Sequence, residues 1–360
     1  MAETQPAPLI RIAVTFPRPD GPGPVRYGTR MTTDLVASFA PSVETRQRAL
    51  AALQQRGFSV TLEGRLSASI RGTREAFEAL FGTRLTVITF TSDATTKYSA
   101  DAVLYPAPDA PWAPDATLAS MLDDAYIQWP HIYMNQRFAA SAPSPMPPQV
   151  RYHHLRVPGD VALLLNAARV HRQGTTGKGV RVAMIDSGFA HGHAYFQEMG
   201  YNSSVVLAPG ATNKDRDGNG HGTGESANLL AIAPDITFIG VKLDNEQNPN
   251  LGASILEGFQ EALRHNPHVI SVSLGYDLAF FNRQHYLSLP NGLRALEAEI
   301  AQAVADGMVV VFAAGNGHVA FPGMMPDVLS ACPQSPVRSN RQRDSCSSRP
   351  GRSSPQGRRA

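Results

Sequence analysis

Two neighbouring stretches decide the fold: GVRVAMIDSGFAHGHAYF at residues 179–196 and DGNGHGTGESANLLAIAP at residues 217–234. The first opens with a short apolar run, Val180 to Ile185, which is typical of a strand buried on both faces of a parallel sheet. The run stops at Asp186. Because the loops at the carboxyl edge of such a sheet converge on a crevice, the sequence places this carboxylate where ligands and catalytic groups collect.

The second stretch places a histidine near that carboxylate. His221 stands between two glycines, and the run from Thr223 to Ile232 predicts a helix that ends at Pro234. We therefore expect His221 at the helix N-terminus, close to Asp186. An imidazole whose tautomer is fixed by a carboxylate can take a proton from a hydroxyl nucleophile and return it to a leaving amine.

Alternating strands and helices predict a parallel, doubly wound α/β domain over residues 161–333. Further strands are expected at Thr237 to Leu243, Val269 to Leu274 and Val309 to Ala314, with helices at Gly252 to His265 and Leu293 to Asp306. We expect this sheet to be incomplete at its C-terminal end, which would leave an unpaired strand edge.

Four segments in order resemble the signatures of the subtilisin-like serine peptidases of the S8/S53 clan: VAMIDSG, GHGTGES, SVSLG at Ser271 to Gly275, and VVVFAAGNG at Val309 to Gly317. The resemblance implies serine endopeptidase activity on polypeptide substrates. It assigns Asp186 as the triad acid, His221 as the general base and Asn316 as the oxyanion donor, with Ser273, Leu274 and Gly275 in the strand that pairs with the substrate backbone.

The nucleophile of that family is missing from its expected place. After Asn316 no segment resembles the family's Gly-Thr-Ser-Met-like motif, and residues 334–360 have no apolar period and predict a basic, disordered tail. Four serines are poor substitutes because they fall in the acid turn, the base helix or strands: Ser187, Ser226, Ser271 and Ser330. We expect a truncated, inactive chain, unless a second polypeptide supplies the missing segment or the tail is a reading-frame artefact. The alternative is a non-catalytic protein that binds or inhibits peptides.

Residues 8–105 predict a separate α+β domain. The expected order is βαββαβ, with strands at Leu9 to Phe16, Phe58 to Leu62, Leu66 to Arg71 and Leu85 to Phe90, and helices at Val43 to Arg56 and Thr73 to Phe81. This is the split, ferredoxin-like arrangement. The segment RLSASIRGTREAFEALFGTRL also resembles the activation prodomain of this peptidase clan, which implies a chaperone and inhibitor; an ordinary packing domain is the alternative.

Between the two domains, residues 106–160 are rich in Pro and Ala, which is typical of an extended linker. Trp112, Tyr126, Trp129 and Tyr133 interrupt this composition, so we expect the linker to pack over a surface. The resemblance makes it the junction between prodomain and peptidase.

Charge and cysteine content exclude several classes of protein. The 360 residues carry a net charge of +2, but seven basic residues and one acidic residue lie in 334–360. The rest therefore holds 25 basic and 29 acidic residues, so no nucleic-acid partner is expected for the folded part. Both cysteines lie in or beside the tail, which argues against a disulfide framework.

The N-terminus lacks the pattern of a secretory signal, and no run is long enough for a membrane span. A cytoplasmic chain is the default expectation, although the family is often secreted.

Two short patterns suggest metal sites and are discounted, so no cofactor is expected. DRDGNG at residues 215–220 matches the first half of a calcium loop, but the twelfth position is Ser226, inside the predicted helix. A calcium site of another kind stays open. Three histidines (His191, His193 and His221) suggest zinc, although Asp186 and the glycines around His221 fit acid–base chemistry better. Gly224 and Glu225 depart from the family pattern, and the carboxylate is expected to influence the pKa of the base.

Overall fold

The computed structural model describes residues 9–27, 31–85, 88–90, 102–104, 114–129, 131, 155–275 and 292–313. Asn316, Trp112, Tyr133, the two cysteines and the predicted tail at 334–360 lie outside these residues. In the first part of the chain the strands are β1 (Ile10–Thr15), β2 (Ser59–Glu63), β3 (Ser67–Gly72), β4 (Ile88–Phe90), β5 (Ala102–Leu104) and β6 (Asp124–Gln128). The helices there are α1 (Thr33–Val36), α2 (Val43–Gln55), α3 (Arg74–Phe81) and α4 (Ala116–Ala119).

The two long helices of this part begin where their local sequence indicates. The Ser42 hydroxyl accepts the Thr45 N–H and starts α2, and the Thr73 hydroxyl accepts the Ala76 N–H and starts α3. Gly82 ends α3 in the left-handed conformation at φ +60°. Their apolar faces pack on one side of the sheet, around Leu53, Phe77 and the buried side of β1.

The N-terminal sheet has the order β2-β3-β1-β6, and every neighbouring pair is antiparallel. The prediction that Leu85 to Phe90 supplies the fourth strand was wrong. Ile88–Phe90 instead pairs with β5 in a separate two-stranded ribbon, and β6 takes the place beside β1. Helix α4 and strand β6 follow one another in the chain inside residues 106–160, so part of the expected linker belongs to the sheet.

The second part of the chain alternates between strands and helices. Its strands are β7 (Arg181–Asp186), β8 (Ser203–Leu207), β9 (Thr237–Lys242), β10 (Val269–Val272) and β11 (Val309–Phe312). Its helices are α5 (Gly159–Leu164), α6 (Ala167–His171), α7 (Ala194–Met199), α8 (His221–Ile232), α9 (Ile255–Leu263) and α10 (Gly292–Ala305). The sequence did not indicate α7 and β8, which lie in the polar insert between the two opening stretches.

The five strands form one parallel sheet in the order β11-β10-β7-β9-β8. This confirms the predicted parallel α/β sheet. From β7 the chain crosses to the edge strand β8, then returns through β9 and passes β7 to β10 and β11, so the direction of the connections reverses at β7. Open α/β sheets bind their ligands outside the carboxyl ends of the strands at such a switch point.

Both faces of the parallel sheet are covered. One face packs against α9 and α10 through a large apolar cluster that includes Ile185, Phe259 and Ile300. The other face packs against Leu230 of α8 and Phe196 of α7. Among the described residues no helix is both long and apolar enough to cross a bilayer.

The N-terminal sheet lies against α9 and α10 through buried polar side chains, which we call the interdomain interface: Glu257, Gln260 and Glu299 from the helices, facing Arg11, Ser67, Ser69 and Arg71 from the sheet. The Glu299 carboxylate accepts the backbone N–H groups of residues 65, 66 and 67 and the Ser67 hydroxyl. Glu257 pairs with Arg71 at 3.1 Å and with Arg11 at 3.8 Å. Two sequence-distant units are thus joined by charge and hydrogen bonds.

Candidate active site

Asp186 is the last residue of β7, the strand at which the order of the sheet reverses. The preceding residues of β7 are buried between helices on both faces, which fixes the end of the strand against the core. The Asp186 side chain has no exposed surface, and its Oδ1 accepts the Ser187 N–H at 2.6 Å. The carboxylate is therefore fixed at the end of a buried central strand.

His221 is the first residue of α8, and its Nδ1 lies 2.8 Å from Asp186 Oδ1. About two fifths of the imidazole (39%) is exposed, whereas the carboxylate is fully covered. With Nδ1 as the donor to the carboxylate, Nε2 carries a free lone pair. The imidazole is thus held by the buried carboxylate at Nδ1, and its Nε2 is left to accept a proton.

The start of α8 is held from outside the helix. Asp217 Oδ1 accepts the Gly220 N–H and the Ser187 hydroxyl, both at 2.9 Å. Its Oδ2 accepts the Thr223 N–H at 2.9 Å and the Thr223 hydroxyl at 2.7 Å. The Gly222 N–H reaches the Ser187 hydroxyl at 3.0 Å. These bonds pair three of the four N–H groups that a helix leaves without intrahelical partners at its start, and they fix the backbone on both sides of His221.

Gly222 allows α8 to approach β7 closely. A Cβ atom at this position would lie 2.4 Å from the Gly188 carbonyl oxygen and 2.8 Å from the Asp186 Cβ. Gly220, just before the helix, has φ +87°, a conformation that favours glycine. The two glycines that flank the histidine therefore have different roles: Gly220 turns the chain, and Gly222 lets the base reach the acid.

Electrostatics favour the charged form of the base. The hydrogen bond that His221 donates to Asp186 raises the pKa of the imidazole, burial opposes the rise, and the charges of Asp186, Glu225 and Asp217 add to it. Glu225 lies one helical turn after His221, at one of the two positions that depart from the family pattern. His221 is consequently a stronger base than a free imidazole.

The residues expected to pair with substrate lie at the same sheet edge as the acid. Val272 is in register with Ile185, so Ser273 is level with Asp186 at the carboxyl end of the neighbouring strand. Leu274 is buried in the core and Gly275 is exposed. We call the group formed by Asp186, Ser187, Asp217, His221 and Ser273 the carboxyl rim. Asn316, expected as the oxyanion donor, lies outside the described residues.

The other two histidines of the zinc hypothesis have partners of their own. His191 Nε2 lies 2.9 Å from the Ser226 hydroxyl, and the imidazole stacks on Phe196. His193 Nδ1 accepts the Tyr195 N–H at the start of α7. Within the ranges that the structure describes, no three His, Cys, Asp or Glu side chains are grouped to hold a metal ion.

Ser226 occupies the twelfth position of the calcium-loop pattern. It lies inside α8 and its hydroxyl donates to the Thr223 carbonyl. The residue therefore takes part in the helix and in the contact with His191.

Three residues of the site were not identified from the sequence. Asp217 was considered only as part of the calcium-loop pattern; the residue directly before α8, where a cap is expected, is Gly220, so no local signal marks Asp217. His131 lies three residues after β6 and near His221: its pKa is lowered to about 3, first by burial and then by the charge of His221. Lys242, the last residue of β9, has no exposed surface, and no pattern in the sequence marks it.

Comparisons with known proteins agree with this arrangement. The model of the subtilase family (Peptidase_S8) matches residues 177–353, which include Asp186 and His221 and extend into the predicted tail. Subtilisin E from Bacillus subtilis (strain 168) is 32% identical over 200 residues, which are 51% of this chain and 48% of that protein. Subtilisin from Bacillus pumilus is 32% identical over 200 residues, 51% of this chain and 66% of that protein.

Among solved structures, the epidermin leader peptide processing serine protease (EpiP) of Staphylococcus aureus aligns with 86% of this chain and 60% of its own. The sequence identity is 12% and the TM-score is 0.42. The aligned region spans about half the length of subtilisin E, and the family assignment depends on the sequence match over residues 177–353. On that match, the chain belongs to the subtilisin-like serine peptidases.

Proposed function

We propose that the chain is a serine-type endopeptidase domain in which Asp186 orients the imidazole and His221 is the general base. The observation that carries the proposal is the 2.8 Å contact between Asp186 Oδ1 and His221 Nδ1 at the switch point of the sheet. In acyl transfer, His221 Nε2 takes the proton of the attacking hydroxyl and then protonates the leaving amine, while Asp186 stabilises the imidazolium.

The substrate is proposed to be an extended polypeptide bound beside β10. Ser273, Leu274 and Gly275 continue β10 past its last ladder residue, at the level of the acid, and they offer backbone groups to a peptide strand. Asn316 is proposed as the side-chain donor to the tetrahedral oxyanion. Removal of one such donor typically lowers kcat by about 10² to 10³.

The nucleophile is the part of the triad that this sequence does not supply in a recognisable segment. In subtilisin, loss of the serine lowers kcat by about 2 × 10⁶. We therefore propose that the 360-residue chain turns over peptides extremely slowly by itself. Activity would require the missing segment from a second polypeptide, or from a longer reading frame of the same gene.

We also propose that the N-terminal unit is a ferredoxin-like prodomain of the peptidase. The strand order β2-β3-β1-β6 and the buried interdomain interface support this assignment. The electrostatic interaction of the buried His131 with His221 supports an inhibitory role, because it brings a residue that follows β6 close to the base. The domain boundaries follow from it, with the prodomain extended to include β6 and the peptidase region beginning near residue 161.

The second candidate is a non-catalytic protein that binds extended peptides. The missing nucleophile motif favours it, together with the exposed Gly275 at the end of β10. Such a protein would retain the binding edge and would use the Asp186–His221 pair only as a structural contact.

Two measurements separate these candidates. The coding DNA downstream of the codon for Ser330 is resequenced, and the protein from any frame that restores a Gly-Thr-Ser motif is treated with a fluorophosphonate. The peptidase proposal predicts an adduct on the restored serine that is lost in the matched His221→Ala variant. If no such frame exists, and the 360-residue chain binds extended peptides without forming an adduct, the peptide-binding candidate replaces the first.

A further inference from the structure

Lys242 is a buried cation close to the carboxyl rim. It ends β9, next to Asp186 in the ladder between β7 and β9, and the side chain has no exposed surface. Its ammonium donates to the carbonyl oxygens of Asn213 at 3.0 Å and Arg216 at 2.7 Å, and to Glu246 Oε1 at 2.9 Å. Burying an ammonium is costly unless every donor has a partner, and here three donors meet three acceptors.

These three acceptors resemble the surroundings of a metal ion. Two backbone carbonyls and a carboxylate are oxygen ligands of the kind that hard cations take in proteins. The loop that supplies the carbonyls, residues 213–216, overlaps the run at 215–220 that matches the first half of a calcium loop. The ammonium of Lys242 occupies the place where a metal ion would bind these three oxygens.

The neutralised loop leads directly to Asp217. Asn213 has φ +56° and its carbonyl also accepts the Arg216 N–H, so the turn places Asp217 at its exit. Both oxygens of Asp217 are already used, each by two donors at the start of α8 or at Ser187. A metal ion could bind this carboxylate only by replacing bonds that hold the backbone around His221.

We propose that Lys242 is a positioning residue for His221: its ammonium is the built-in cation of loop 213–216, and it holds Asp217 against the start of α8 without a metal ion. The proposal depends on the proposed function only for the role of His221 as a base. The order of contacts runs from Lys242 through the loop carbonyls to Asp217, and from Asp217 to the amides on both sides of the histidine.

The test is hydrogen exchange of the full chain, followed by mass spectrometry of peptides that cover residues 213–224. Exchange rates report local opening of backbone hydrogen bonds. In the unmodified protein we expect equal protection of these peptides in calcium chloride and in EDTA. In Lys242→Met, which keeps much of the apolar stem, we expect exchange there about tenfold faster, or about 1.4 kcal/mol of local opening.

The matched control is Lys214→Met, which removes an exposed lysine from the same loop and is expected to leave exchange unchanged. A second readout is the His221 Nδ1 proton in ¹⁵N-histidine-labelled protein. This resonance depends on the contact with Asp186, and we expect it to shift or broaden in Lys242→Met and to persist in Lys214→Met. Peptides from β7 should keep their protection in both variants.

Several outcomes would overturn the proposal. Calcium-dependent protection of residues 213–224 in the unmodified protein would show that the loop needs a metal. Unchanged exchange and an unchanged His221 resonance in Lys242→Met would remove the positioning role. If Lys242→Met unfolds globally, Glu246→Gln decides: it keeps the volume but not the charge of the ammonium's partner, and unaltered exchange in this variant counts against the proposal. None of these readouts requires peptidase activity.

Discussion

Buried carboxylates occur in two regions of the molecule and are treated differently there. At the interdomain interface, Glu299 has no exposed surface, and three backbone N–H groups and a hydroxyl donate to its carboxylate. At the carboxyl rim, Asp186 is equally buried, yet among the described residues its Oδ2 has no hydrogen-bond partner. The interface carboxylate is fully hydrogen-bonded, whereas one oxygen of the rim carboxylate has no hydrogen-bond partner among the described residues.

The difference between the two carboxylates indicates that Glu299 mainly stabilises the fold, whereas Asp186 mainly sets the properties of His221. An unsatisfied buried oxygen costs about 1–3 kcal/mol, so a protein retains one where the charge has another use. At the rim that use is the orientation of His221. Substitutions at the interface should therefore change mainly stability, and substitutions at the rim should change mainly the properties of the imidazole.

The largest effect is expected from Glu299→Met at the interface. The substitution keeps the length of the side chain but removes the acceptor of four donors, and we expect the free energy of unfolding to fall by about 3–5 kcal/mol. Chemical denaturation measures this loss. The control is Glu297→Met in the same helix, half-buried and expected to cost about 0.5 kcal/mol. Equal losses in the two variants would mean that the interface does not depend on its saturated carboxylate.

Acid should destabilise the fold through the buried imidazole of His131. Its folded pKa of about 3 lies below the ordinary value of 6.5, so the unfolded state binds the proton more readily. As the pH falls below 6.5 towards 3, unfolding is favoured by up to about 1.4 kcal/mol per pH unit. Between pH 7 and pH 5, we expect the free energy of unfolding to fall by up to about 2 kcal/mol more than in His131→Leu. The same pH dependence in both proteins would show that this imidazole does not stay neutral on folding.

Gly222→Ala tests the close approach of α8 and β7. The added methyl meets a backbone carbonyl, so we expect a loss of about 1–3 kcal/mol and a displaced His221. Gly224→Ala is the matched control, because no atom lies within 4 Å of its added methyl and alanine favours a helix by about 0.5–1 kcal/mol. Denaturation and the His221 resonance are the measurements. Similar stability for the two variants would contradict the close approach.

The smallest effect on stability, and a direct one on the base, is expected at the partners of His221. Asp186→Asn should lower the pKa of His221, and Glu225→Gln should lower it less, because the hydrogen bond that His221 donates to Asp186 is the largest cause of the rise. A raised folded pKa stabilises the protein below pH 6.5, and this contribution is lost as the pH rises through the folded pKa. NMR titration of the imidazole measures both shifts. An effect of Glu225→Gln as large as that of Asp186→Asn would contradict the ranking.

The sequence predicts the rim better than the contacts that support it. The apolar run of β7, the helix start at His221 and the caps at Ser42 and Thr73 are local features, and the structure has them where local chemistry indicates. The fourth strand of the N-terminal sheet was misplaced because strand pairing is not local. Leu85 to Phe90 and the residues of β6 both suit a strand, and only the edge of β1 selects between them.

Asp217 and Lys242 were missed for a related reason. Their partners come from three different elements, and no spacing in the sequence records which carbonyl an ammonium will meet. The interdomain interface has the same property, since Glu299 meets residues more than two hundred positions earlier in the chain.

The position of β6 in the chain has a consequence for biosynthesis. All four strands of the first sheet have left the ribosome once Gln128 has emerged, before any strand of the parallel sheet has been translated. Domains generally fold as units during synthesis, at about 5–20 residues per second. The N-terminal sheet can therefore fold first, with Arg71 and the amides of residues 65–67 already in place. Helices α9 and then α10 pack against this sheet as they are synthesised.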